Sequence, residues 1–166
     1  MAEYFVRMRV EPSTGGTGII RLQPGTRGVR SSHRGASLGL KFKSTSDVIS
    51  QLDRGFPFRA LEALAANSGL ALKDLAAAIG ISNRTLARRR TTGCLRTDES
   101  ERLLRIACVF EKTVDFFEGD VAASIRWLTT PQRALAGELP LRYSRMEPGA
   151  EEVKDILGRL EDGVFL

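Results

Sequence analysis

Apolar residues return at helical spacing through most of this chain, and the places where the period breaks mark out its elements. Leu61, Leu64, Ala65 and Ser68 line one face of a helix that Gly69 ends. Leu72, Leu75, Ala76 and Ile79 stand at i, i+3, i+4 and i+7 of a second helix, broken by Gly80. Ser82 is a good N-cap, so a third helix starts at Asn83. Upstream, Asp47 to Leu52 reads as a short turn of helix stopped by the segment 54–57, because Pro57 disfavours helix at the residue before it. Asp98 with Glu101 resembles a capping box, opening a helix whose apolar face is Leu103, Ile106, Ala107 and Phe110. Val121, Ile125 and Leu128 predict a helix that ends before Thr129. Residues 131–148, with Pro131, Pro140 and Pro148, read mostly as loop. Val153, Ile156, Leu157 and Leu160 predict a last amphipathic helix, then Gly163 and an apolar tail of Val164, Phe165 and Leu166. The expected fold is all-α.

Residues 1–44 differ in kind. They are rich in Gly, Ser and Arg and carry no helical period, although residues 18–22 have the look of a short strand. The glycine cluster at 15–18 lacks the Gly-Lys-Ser/Thr that a phosphate loop needs. The segment reads as an arm, either a plain tail or one whose Arg27, Arg30 and Arg34 touch phosphates. His33, the single histidine, is expected on the surface of this arm.

Charge sharpens the division. Residues 1–54 hold nine Lys/Arg against four Asp/Glu, and residues 55–97 hold seven against two. Residues 98–166 reverse the balance, with nine against fourteen, so the overall +5 conceals a basic front and an acidic back. Either the surface is unevenly solvated, or the two parts meet different partners, one of them polyanionic. At 166 residues the chain suffices for one ordinary core or two small ones packed together. No apolar run of about 18 residues is present to span a bilayer, and the first ten residues do not read as a signal peptide. Cys94 and Cys108 have no cysteine or histidine at metal spacing, so they are expected to be reduced thiols of a cytoplasmic protein without metal or cofactor. No nucleophile–base pair stands out, which argues against an enzyme.

A helix, a glycine turn and a Ser-capped second helix make the pattern of a helix-turn-helix. Ala76 is small where the two helices must cross, Gly80 permits the turn, and Ile79, Ile81 and Leu86 form the shared core. The second helix contains the run 88–90 of three arginines, which are not equivalent. At about 100° per residue, with Leu86 facing the core, Arg84 and Arg88 point nearly the opposite way. Together with Asn83 and Thr85 behind the Ser82 cap, they are candidates for base edges, since Arg matches guanine and Asn adenine in the major groove. Arg89 and Arg90 fall nearer the Leu86 side at the helix C-terminus, where they would contact phosphates or the domain behind them. Arg89 occupies a position where an apolar residue is usual, so its guanidinium needs an acidic partner or water. The stretch 97–101 is the nearest acidic supply.

The segments GFPFRALEALAANSGL, LAAAIGISNRTLARRR, LRTDESERLLRIA, AASIRWLTTPQRALAGELPLRY and EPGAEEVKDILGRLEDGV resemble, in order, the Xre/MbcA/ParS antitoxins paired with RES-domain toxins. The likeness covers about residues 46–166 and leaves the arm outside. It implies an all-α chain in which a Cro/Xre-like helix-turn-helix domain at 45–97 precedes a small helical toxin-binding domain at 98–166, after an arm at 1–44. It further implies a non-enzymatic, dimeric antitoxin. Such a protein neutralises an NAD-depleting toxin by placing its C-terminal end at the toxin's NAD pocket, and represses its own operon. Carried onto this sequence, the toxin contacts would be Glu161, Asp162, Gly163, Val164, Phe165 and Leu166, supported by the surface near Trp127 and Leu128. Trp127 is open to a second role as a core aromatic, and Phe165 to folding back onto its helix. Ser144 and Arg145 depart from what many relatives have there. The competing function is a stand-alone transcriptional repressor whose C-terminal half only dimerises.

Overall fold

A computed structural model describes residues 34–163, and it is helical throughout. Eight α-helices follow one another among these residues, with no strand beyond an isolated bridge between Pro57 and Cys94. They are α1 (Thr45–Arg54), α2 (Phe58–Ser68), α3 (Leu72–Ala78), α4 (Asn83–Thr92), α5 (Thr97–Phe116), α6 (Val121–Leu128), α7 (Pro140–Tyr143) and α8 (Glu147–Glu161). None is long and apolar enough to cross a membrane.

The twenty-residue α5 is the spine: α1 and α2 pack on it from one end of the chain, α6 and α8 from the other. Its predicted apolar face is in place, with Leu103, Ile106, Ala107 and Phe110 all buried. One continuous core joins Leu61, Leu64 and Leu75 on one side of it to Val153, Ile156 and Leu157 on the other. A boundary at 97 therefore falls where α5 begins, and both halves share that helix.

The helix stops follow the expected residues. Gly69 and Gly93 end α2 and α4 in the left-handed conformation, each donating its N–H back into the last turn. Three local expectations fail for identifiable reasons. First, α1 runs from Thr45 to Arg54, longer than Asp47–Leu52, because the Ser44 hydroxyl caps it by accepting from the Asp47 N–H at 3.2 Å. Second, α5 opens from Arg96 and not from Asp98. The Glu99 carboxylate reaches back to the Arg96 N–H at 2.9 Å, while Asp98 pairs with Arg102 one turn on. Third, residues 131–148 are less of a loop than their prolines suggest. Pro140 is the first residue of α7 and Pro148 sits in the first turn of α8, where a missing N–H costs nothing.

The expected arm also ends earlier than Ser44. Leu38 is buried, and a short 3-10 turn at Ala36–Leu38 packs against α2 and α5. The buried Glu111 carboxylate of α5 accepts from the Gly35 N–H (3.0 Å), the Ser37 N–H (2.8 Å) and the Ser37 hydroxyl (2.6 Å). The Asn67 amide donates to the Ser37 carbonyl at 2.7 Å. Arg27, Arg30, His33 and the proposed strand at 18–22 lie outside the described residues.

Candidate functional site

The helix-turn-helix is formed by α3 and α4. Ala76 and Ile79 are completely buried at their crossing, with Ile81 nearly so and Leu86 half-buried. Gly80 has φ 71°, the left-handed conformation that strains an L-residue and that the turn requires. Ser82 caps α4 as expected: its hydroxyl accepts from the Thr85 N–H at 3.2 Å and lies 3.1 Å from the Thr85 hydroxyl. That pairing draws Thr85 into the cap and leaves it only half-exposed.

None of the residues of α4 is fully buried. Asn83, Arg84 and Arg88 stand exposed on its outer face, and no carboxylate among the described residues pairs with either arginine. Arg89 turns inward. Its Nε donates to Glu99 Oε2 at 2.7 Å and its Nη2 to Oε1 at 3.0 Å, a two-pronged ion pair whose side chains are only 11% and 5% exposed. These bonds hold the Arg89 guanidinium above its already high ordinary pKa. Because Glu99 also takes the Arg96 N–H, all three donors converge on one carboxylate. Arg89 is thus committed to the domain behind α4, not to a phosphate. Arg90 leans over the Phe58 ring, 5.6 Å from its centroid, with Glu62 at 3.9 Å, and remains well exposed.

The end of α4 is fastened as well. Leu95 donates to the Phe56 carbonyl at 2.8 Å and Phe58 to the Gly93 carbonyl at 2.9 Å, forming the Pro57–Cys94 bridge. A Cβ at Gly55 would lie 2.1 Å from the Leu95 carbonyl, so this approach demands glycine. The result is a rigid cationic helix with its outer face and N-terminal turn open, the shape and charge that suit a nucleic-acid groove.

At the other end, α8 seals the C-terminal half with Ala150, Val153, Ile156 and Leu157. Its outer face carries Glu151, Glu152 and Asp155. Glu161 meets Lys112 of α5 at 2.6 Å, while Asp162 and Gly163 are exposed. Leu128 offers no surface: at the end of α6 it is completely buried in the core, which removes it from any direct contact. Trp127 is half-buried against the core, so it serves mainly as a packing aromatic with an accessible edge. Val164, Phe165 and Leu166 lie outside the described residues.

Residues 47–107 match the antitoxin Xre-like helix-turn-helix domain, and residues 113–163 the antitoxin Xre/MbcA/ParS C-terminal toxin-binding domain. The chain is 34% identical to a protein named Antitoxin Xre from Yersinia enterocolitica over 129 residues, covering 77% of this chain and 87% of that one. The chain belongs to the Xre antitoxin family. A second relative, named Antitoxin Xre from Photorhabdus laumondii, is 28% identical over 137 residues, covering 82% of this chain and 93% of that one. The two domain matches of the antitoxin meet inside α5, the helix that carries Glu99 near one end and Lys112 near the other. Sequence reasoning placed the partner of Arg89 somewhere in 97–101; it did not single out Glu99. The clue was available, since only Glu99 stands three residues after Arg96 and can cap α5 and receive Arg89 together.

Proposed function

We propose that this antitoxin neutralises a RES-domain, NAD-depleting toxin by direct binding, with its C-terminal end at the toxin's active site. It also binds operator DNA through α4 to repress its own operon, acting as a homodimer in the cytoplasm. The observation that carries the DNA half is the division of labour on α4: Arg84 and Arg88 face outward without a carboxylate, whereas Arg89 is spent on Glu99. In the major groove, Arg88 and Arg84 would read guanine and Asn83 adenine, with Arg90 on the backbone. The toxin half is supported by the C-terminal domain match and by the exposed acidic end at Asp162 and Gly163.

Two measurements test the two halves separately. Arg88→Ala is expected to cost about 1–3 kcal/mol of operator binding and to relax base preference at one position. Wild-type affinity and preference in that variant would remove α4 as the reader. Deleting Asp162 to Leu166 is expected to spare DNA binding and release NAD consumption by the co-expressed toxin. Full inhibition by the truncated protein would place neutralisation on a different surface, and no inhibition by the full chain would leave the stand-alone repressor in its place.

A further inference from the structure

The corner between α7 and α8 holds two arginines in opposite circumstances. Arg105 of α5 is neutralised: its Nε pairs with Glu147, and its Nη1 donates to the Arg145 carbonyl at 3.0 Å. Arg145 itself is exposed, and no carboxylate among the described residues pairs with its guanidinium. Its backbone is held firmly. Ser144 is completely buried with its hydroxyl on the Pro140 carbonyl at 2.8 Å, and the Arg145 N–H reaches the Arg142 carbonyl at 3.2 Å. The side chain extends across to the other half of the molecule and lies over Gly80. A Cβ placed on Gly80 would be 3.5 Å from Arg145 Nε and 3.7 Å from Cζ.

Gly80 is the turn of the helix-turn-helix. Ser82, which caps α4, follows two residues later, so its Cα lies within roughly 7 Å of the Gly80 Cα. An exposed, unneutralised guanidinium on a firmly held backbone thus lies over the turn that leads into α4, and a duplex seated on Arg84 and Arg88 would bring its backbone past that end of the helix. Each DNA strand presents one phosphate for about every 3.4 Å of helix axis, so a phosphate passes within reach of such a side chain. We propose that Arg145, a residue of the toxin-binding domain, is a phosphate contact of the DNA interface. This rests on the reading of α4 as the DNA-binding helix. It implies that the nucleic-acid surface is completed by a residue from beyond the helix-turn-helix.

The experiment uses the full-length chain, an operator duplex and a scrambled duplex of equal length, each titrated across a salt series. Arg145→Ala is expected to flatten the plot of log affinity against log salt by about one unit on both duplexes, leaving their affinity ratio unchanged. Arg145→Lys is expected to keep the wild-type slope, since a phosphate needs the charge more than the fork. A wild-type slope in Arg145→Ala overturns the proposal, and so does a reduced slope that lysine fails to restore. Weakened toxin binding with an unaltered slope also overturns it and assigns Arg145 to the toxin surface. Arg88→Ala serves as the reference. If that variant loses operator preference while Arg145→Ala keeps its slope, the proposal alone fails. If Arg88→Ala matches wild type throughout, the reading of α4 fails first.

Discussion

Helices α4 and α8 are both outer helices of this antitoxin, yet they are held in opposite ways. α8 buries Ala150, Val153, Ile156 and Leu157 against α5, an apolar face that does most to place it, with ion pairs to Arg105 and Lys112 only at its two exposed ends. α4 has no fully buried residue. It is fixed by a half-buried Leu86, a hydroxyl cap at Ser82, a glycine stop at Gly93 and the Arg89–Glu99 pair. A helix that offers most of its circumference to a ligand has little apolar face left to anchor it, so a few directed polar contacts must do so. Such contacts are directional and set the orientation of the helix, which the proposed groove-reading role of α4 needs.

The strongest way to break this comparison is Glu99→Ala. It strands the Arg89 guanidinium in a nearly buried site, and is expected to cost about 3–5 kcal/mol in urea unfolding. A loss below about 1 kcal/mol would mean that the pair does not anchor α4. Leu157→Ala is the matching test on α8. The side chain is completely buried, and the expected loss is about 2–5 kcal/mol, insensitive to salt because no charge is involved. Ser82→Ala sharpens the picture at lower cost. Loss of the cap should remove about 0.5–2 kcal/mol of stability and weaken operator binding further, since the exposed first turn of α4 would fray. Equal effects on unfolding and on DNA binding would show that the cap acts only on the fold.

The smallest effect is chemical. Cys94, just beyond α4, is exposed, whereas burial pushes the Cys108 thiol in α5 up to about 11. The raised value means that the Cys108 thiolate appears only as pH climbs toward 11, so at pH 8 it is on the order of one part in a thousand. Brief alkylation at pH 8 followed by mass analysis is expected to give one adduct, on Cys94. Equal labelling of both would show that the C-terminal half opens far more readily than its packing implies.

Much of the fold was legible in residue order, because the signals involved are local. A period of 3.6 places Leu72, Leu75, Ala76 and Ile79 on one face, Ser82 caps the turn that follows it, and Gly80 adopts the φ that its lack of a Cβ permits. The same geometry separates Arg84 and Arg88 from Arg89. Three kinds of fact were not legible. Which of three nearby carboxylates receives Arg89 depended on how α4 lies across the start of α5. Glu111 holds Gly35 and Ser37 across 76 and 74 residues of chain, a distance over which no periodicity carries information, and so the docked segment read as part of the arm. Leu128 and Trp127 are neighbours in sequence, yet α6 turns the first wholly inward and leaves the second an edge, which only its packing against α5 decides. The sequence by itself thus determined the helices, their stops and the cationic outer face of α4. The tertiary structure decided which charges are neutralised inside and which remain to meet a partner, because pairing depends on distances between helices that local spacing does not contain.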